Sequence, residues 1–155
     1  MSTEANKVTS LRCEYDQVMI DWKSFNPEVI AEFRSNQGKV AQFGDLPVVI
    51  LHTIGARSGG LREVPLIVVL KDNRMLLFGT NAGSNKHPAW IFNLRANPVI
   101  TVEFGTERFT ANILELAQGE AQQILQTQAE STPQLASYLE TSAPRVVPVF
   151  SINRV

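Results

Sequence analysis

Runs of β-branched residues joined by very short turns constrain this chain more than any other feature. "LPVVILHT" (residues 46–53) is almost continuously apolar, the pattern of a strand covered on both faces. "EVPLIVVLKDNRMLLFGT" reads as two strands, residues 63–71 and 75–80, joined by the polar turn Asp72-Asn73-Arg74. Residues 99–103 and 108–116 flank "FGTE", where Gly105 and Thr106 suit a two-residue type II′ hairpin turn, and a last strand is expected over 146–152. Connections this short leave only antiparallel pairing, because a parallel crossover needs about a dozen residues.

Helical periodicity interrupts these strands. "NPEVIAEFRSNQG" places Asn26 as N-cap, Pro27 at the first helical position and Gly38 as the stop, with Val29, Ile30 and Phe33 on one stripe. "SNKHPAWIFNLRANP" offers Pro88 at the first helical position, Trp90, Ile91 and Leu94 on one face, and Asn97-Pro98 as terminator. "AQGEAQQILQTQAE" and "TPQLASYLE" are also helical, the latter with Thr132 as N-cap and Pro133 next. Helices inserted late among hairpins exclude a doubly wound parallel sheet. The expected class is α+β, mainly β: about six mostly antiparallel strands closed into a small barrel with flanking helices. Closure removes the edges that residues 48–51 and 64–70 would otherwise expose.

A chain of 155 residues suffices for one domain with a real core. Residues 26–155 are expected to form it. Residues 1–25 read as an N-terminal extension, partly disordered or a short helix, whose Val18, Met19, Ile20 and Trp22 suit packing on the domain or on a dimer partner. Lys plus Arg number 14 against 15 Asp plus Glu, so no basic field draws nucleic acid. The single Cys13 cannot form an internal disulfide, which fits a reducing cytoplasm, and the first residues hold no apolar run of signal-peptide or membrane-span length. No metal site is expected: His52 and His87 are far apart, and Cys13 has no metal-binding spacing. His52 reads as a core or rim residue in a strand, and His87 immediately precedes a helix. No G-x-S-x-G elbow exists, and Ser58 has no evident base.

Two loops carry the chemical signal. "GARSGGLREVPL" sets Arg57 and Arg62 beside bare glycine backbone, whose amides can approach an anion while the guanidinium groups supply bidentate, charge-assisted bonds. "FGTNAGSNKHPAW" sets a second small-residue loop after a strand and before a helix whose N-terminus also favours an anion. Two such loops can bracket one phosphate. The plainer alternatives are a solvated hairpin loop and an ordinary strand-to-helix connection capped by Ser84 or Asn85.

Together "TIGARSGGLREVPL", "GTNAGSNKHPAWIFNLRANP" and "RVVPV" resemble the deazaflavin (F420)-dependent nitroreductase family of split β-barrel oxidoreductases, over about residues 26–150. The resemblance implies a split β-barrel that binds the reduced 5-deazaflavin coenzyme F420 with its phosphate and oligoglutamate tail. Carried over by position, Arg57 and Arg62 meet phosphate and tail carboxylates, Ser58 and Gly59 shape the same loop, and Pro65, Leu66 and Ile67 lie along the ring. Gly79, Thr80 and Asn81 form a second phosphate contact; Lys86, Pro88, Trp90 and Asn93 match the motif that follows, with Trp90 better suited to anchoring the helix. Asn81 stands where some members carry Lys, and Leu135 and Ile67 stand where aromatic residues are found. Tyr138 matches a tyrosine on the substrate side, with a core or rim tyrosine as the competing reading.

The implied reaction is hydride transfer to a small-molecule acceptor, a quinone, enone or nitro compound, with Tyr138 orienting the acceptor or giving it a proton. Three alternatives stay open: an FMN-binding split-barrel oxidoreductase, a non-catalytic F420-binding carrier, and a ligand-free structural dimer module. The expected setting is the cytoplasm, with room for a peripheral place at the membrane and for a homodimer.

Overall fold

A computed structural model describes residues 22–155, with side chains from Pro27 onward, so the expectations for residues 1–21 and for the Trp22 side chain lie outside the described residues. Helices α1 (Trp22–Ser35), α2 (Ala89–Ala96), α3 (Gln118–Ser131) and α4 (Pro133–Ser142) accompany strands β1 (Val48–Ile54), β2 (Leu61–Ile67), β3 (Val69–Lys71), β4 (Arg74–Phe78), β5 (Val99–Phe104), β6 (Glu107–Glu115) and β7 (Val149–Arg154). The strands form one sheet in the order β2-β1-β5-β6-β7-β4-β3, and every pairing is antiparallel. Its two edges, β2 and β3, are separated in sequence by Val68 alone, so one bent passage of chain pairs with β1 along its first part and with β4 along its second. The sheet therefore curls round on itself as a split barrel. The expected strand over 63–71 is this passage; at Val68 the amide still donates to the Pro47 carbonyl at 3.0 Å, in register with the β1 pairing, but Pro47 has no amide to return the bond.

Side-chain alternation divides β1 between two cores. Val49 and Leu51 point inward, where Val68, Leu77, Val102, Ala111, Ile113, Phe150 and Ile152 fill the barrel from the other strands. Val48 and Ile50 point outward and pack with Val29, Ile30 and Phe33 of α1. This accounts for the nearly unbroken apolar run in β1. Burial of a side chain such as Phe33 or Ile50 stabilises by about 1.5–3 kcal/mol. Leu76 and Val149 face outward on the far side, under Ala121 and Leu125 of α3 and Leu135 of α4.

The turns follow their residues. Asp72 and Asn73 both have positive φ, 53° and 63°, as a type I′ turn demands; Arg74, expected in the turn, instead pairs with Lys71. Gly105 has φ 62° between the paired Phe104 and Glu107, consistent with the expected II′ turn. Helix α1 begins at Trp22, so Pro27 lies inside it rather than at its first position, and the helix crosses the expected boundary at 25–26. Proline's fixed φ suits a helix and removes only the bond to the carbonyl four residues earlier. Pro88 is the N-cap of α2 rather than its first residue. The last strand starts at Val149, not 146, since Pro148 has no amide to pair.

One polar cluster ties α1 to the barrel. Arg34 donates to both carboxylate oxygens of Glu103 on β5, at 2.6 and 3.2 Å, and to Glu63 on β2 at 2.9 Å. His52 Nε2 donates to the same Glu103 at 2.6 Å. The hydrogen bond from Arg34 holds the Glu103 carboxyl below its ordinary value against the opposing effect of burial, with His52 helping. The histidine and the two carboxylates are the only group of metal-ligating type among the described residues, and their oxygens are already engaged by Arg34. A carboxyl with a depressed folded-state pKa stabilises above its unfolded value and loses that contribution as pH falls through the folded one. Arg34→Met should therefore lower unfolding free energy by about 2 kcal/mol at neutral pH, measured by urea denaturation. Glu103→Gln should flatten the loss of stability below about pH 4.5.

Candidate functional site

Strand directions bring the two conspicuous loops together. Four antiparallel steps lead from β1 through β5, β6 and β7 to β4, so β1 and β4 run the same way and leave the barrel at the same end. The 55–60 loop follows β1 there, and the 79–88 loop follows β4. Both tight hairpin turns lie at the opposite end. Helix α2 closes the loop end with Trp90, Ile91 and Leu94 buried in the barrel core, and Trp90 meets Phe150 edge to face at 5.6 Å. Trp90 is thus taken up by packing.

The first loop is shaped by its own backbone. Gly55 donates to the Gly60 carbonyl at 2.8 Å and Gly59 to the Gly55 carbonyl at 2.9 Å, with Gly59 at φ 72°, a conformation that favours glycine. Ser58 Oγ accepts from the Gly60 amide at 3.1 Å, and a Cβ on Gly55 would lie 2.7 Å from that oxygen. Buried Asn93 of α2 accepts from the Ala56 amide at 2.9 Å and fixes the loop to the helix. Arg57 is exposed and has no partner among the described residues; the exposed Arg62 guanidinium reaches only Ser58 Oγ, at a marginal 3.5 Å. Alternation puts Arg62 on the inward face with Val64 and Leu66, at the barrel mouth, whereas Pro65 and Ile67 face outward and Ile67 packs against the α1 cluster.

The second loop is held by Arg145, which precedes β7. Its Nη1 donates to the Gly79 carbonyl at 2.9 Å and to His87 Nδ1 at 2.8 Å; its Nη2 donates to the Thr80 and Ser84 carbonyls at 2.8 and 2.9 Å; its Nε donates to Ser84 at 3.1 Å. Asn81 and Ala82 stand at φ 49° and 53°, a left-handed conformation costing non-glycine residues about 1–2 kcal/mol each. Bonds from a charged donor contribute about 1.5–3 kcal/mol each, so the arginine outweighs that strain. Three carbonyls are committed to Arg145 and the Gly79, Gly83 and Ser84 amides donate within the fold, so the amides of Thr80, Asn81 and Ala82 are what the loop can offer a ligand. Asn81 Nδ2 donates to the Lys86 carbonyl at 2.9 Å, closing the loop, while Lys86 extends into solvent. Gly79 is squeezed between Ile91 and Pro148, and Gly83 between Thr141 and Tyr138 of α4, leaving no room for a Cβ at either. Tyr138, half-buried, therefore flanks the second loop.

This end of the barrel suits an anionic group: it brings together two uncommitted guanidinium groups, a glycine loop and a second loop with free backbone amides. A family model described as F420H(2)-dependent quinone reductase matches residues 27–153. The chain belongs to this family. It is accordingly an F420H2-dependent reductase, with coenzyme F420 rather than flavin mononucleotide as cofactor. The F420H(2)-dependent quinone reductase of Mycobacterium tuberculosis (strain ATCC 25618 / H37Rv) is 25% identical over 128 residues, which cover 80% of this chain and 86% of that protein. A solved F420-H2 dependent reductase, FDR-A, is similar with a TM-score of 0.58 and 33% identity, covering 69% of this chain and 94% of its own. Another solved structure, described as a domain-swapped dimer, has a TM-score of 0.59 and 32% identity over 86% of this chain and 98% of its own.

Arg145 stood in the quoted motif "RVVPV" with no role attached, and Asn93 likewise in its own motif. The one available signal was a lone charge in an apolar stretch leading into a strand. Asn93→Ala should cost about 0.5–1.5 kcal/mol and speed amide exchange at Ala56, because the bond that ties the loop to α2 is lost; hydrogen-exchange NMR with thermal unfolding checks both.

Proposed function

We propose that this reductase binds the tail of F420H2 at the loop end of the barrel through Arg57 and Arg62 and delivers hydride to a quinone. Enone and nitro compounds are further acceptors of the same electron-poor class. The observation that carries the reading is the pair of guanidinium groups left without a strong partner beside glycine backbone, whereas Arg34, Arg74, Arg95, Arg145 and Arg154 are all committed elsewhere in the fold. Ser58 and Gly59 would shape the first contact, and Gly79, Thr80 and Asn81 the second, with Lys86 close in sequence. Of the three β2 residues expected along the ring, Leu66 shares the inward face with Arg62 and Val64, whereas Pro65 and Ile67 face outward and would contribute backbone alone. The bound coenzyme supplies the hydride; the chain's part is to fix ring and acceptor together and to exclude water, which lowers the barrier through proximity. Tyr138, held against Gly83, would orient the acceptor or give it a proton through its hydroxyl.

Exposed apolar side chains favour a lipophilic acceptor. Leu61, Phe92, Val99, Leu114 and Val146 all lie toward the loop end. Such a rim with Arg57 and Arg62 suits a peripheral place at an anionic membrane surface. Among the described residues no helix is long and apolar enough to cross a membrane. A homodimer is part of the same reading, supported by the domain-swapped neighbour.

Titration of F420 should quench its fluorescence, and Arg57→Ala and Arg62→Ala should each raise the dissociation constant about tenfold or more. With menadione as acceptor, Tyr138→Phe should lower kcat and leave coenzyme affinity unchanged. Unaltered binding in both arginine variants would remove the proposed grip, and unaltered turnover would remove Tyr138 from the chemistry. Sedimentation of the protein with and without phosphatidylserine vesicles checks membrane association and dimerisation together: recovery of a monomer in the supernatant in both cases would exclude both.

A further inference from the structure

Arg145 holds the second loop from the segment before β7 and His87 lies at that loop's end, but neither takes part in the proposed grip on the coenzyme. A guanidinium has five N–H donors. Here all five are used: two on Ser84, one each on Gly79 and Thr80, and one on His87 Nδ1. Four of these acceptors are backbone carbonyl contacts that cannot change their nature. The fifth is an imidazole nitrogen, which accepts only while it carries no proton. The 2.8 Å contact thus fixes the tautomer, with the ring hydrogen on Nε2. A proton on Nδ1 would set donor against donor and a second positive charge beside the first.

We propose that Arg145 and His87 form a proton-gated clamp, closed when His87 is neutral and opened by a proton on Nδ1, which sets how firmly the 79–84 loop is held ready for an anion. The left-handed pair Asn81 and Ala82 lacks glycine's freedom, so the loop relaxes when its clamp weakens. Charged groups from each neighbouring element act on the gate. Burial disfavours the charged ring most, Arg145 from the segment before β7 and Arg95 from α2 oppose it further, and Glu115 at the end of β6 favours it; Glu115 is itself paired with Arg95 at 2.8 and 2.9 Å. Phe92 offers only a ring, 5.7 Å away. The proton is therefore taken up on the acid side of the ordinary histidine value of about 6.5. His87 and Arg145 are positioning residues, acting on a bound ligand only through the loop.

As a statement about coenzyme affinity the proposal rests on the function proposed above; as a statement about the loop it does not, and the experiment separates the two. In the free protein, NMR from about pH 8 to about pH 5 follows the His87 ring and the backbone amides of residues 79–84. The amides should titrate with the ring in the wild type and not in His87→Asn, whose side-chain oxygen keeps an acceptor near the Nδ1 position but does not ionise. With F420, the wild-type dissociation constant should rise about tenfold in acid, while that of His87→Asn stays flat apart from tail ionisation. Arg145→Lys should weaken binding at every pH, since a single ammonium cannot span three carbonyls and a histidine, with kcat at saturating coenzyme little altered. Loop amides indifferent to the His87 titration, or an acid loss of affinity retained in His87→Asn, would overturn the proposal. If F420 bound at no pH, the coenzyme reading would fall and the free-protein titration alone would decide the clamp.

Discussion

Pairing of one bent stretch of chain with both ends of the sheet is the constraint from which the rest of the structure follows. Residues 61–67 pair with β1 and residues 69–71 with β4, so the sheet cannot lie flat. Curling gives every strand an inner face, and the inward residues of β1, β4, β5, β6 and β7 fill a single core. It also leaves β1 and β4 running in one direction. A loop after β1 and a loop after β4, far apart in sequence, are therefore delivered to the same rim.

The two loops are built on opposite principles. The 55–60 loop is held by its own amides and carbonyls and by Asn93, and its arginines are left free to move toward a ligand. The 79–84 loop is held from outside by Arg145, whose charge is spent on carbonyl oxygens. In the proposed reading, exposed cations supply attraction and fixed amides supply geometry at little ordering cost. An anionic coenzyme tail needs both, since attraction without preorganisation loses much of its gain to side-chain entropy.

A similar contrast separates the two polar clusters. On the outer wall, Arg34, His52, Glu63 and Glu103 combine charges of both signs and dock α1 on the barrel. At the rim, Arg145 has no carboxylate partner among the described residues, and burial lowers its pKa from the ordinary arginine value. The first cluster serves stability. The second leaves positive charge at the end of the barrel proposed to receive an anion.

What the sequence by itself determined is local. The polar turn after Lys71, the II′ turn at Gly105-Thr106, the doubly covered β1, the Thr132-Pro133 helix start and the helical stripe of Trp90, Ile91 and Leu94 follow from backbone preference and side-chain period, which neighbours within a few residues impose. The two loop motifs and the family resemblance were likewise readable, because they are contiguous strings. Element ends shifted at prolines: at Val68, opposite Pro47, which has no amide to complete the pair; at Pro27, whose helix continues upstream; and at Val149, where pairing waits until after Pro148. Only the tertiary structure decided that Ile67 packs against the α1 cluster while Leu66 faces the barrel core, and that Arg145 and His87, 58 residues apart, share a bond. Those facts depend on which strands meet across the barrel, and long-range closure of that kind leaves no period in the chain to read.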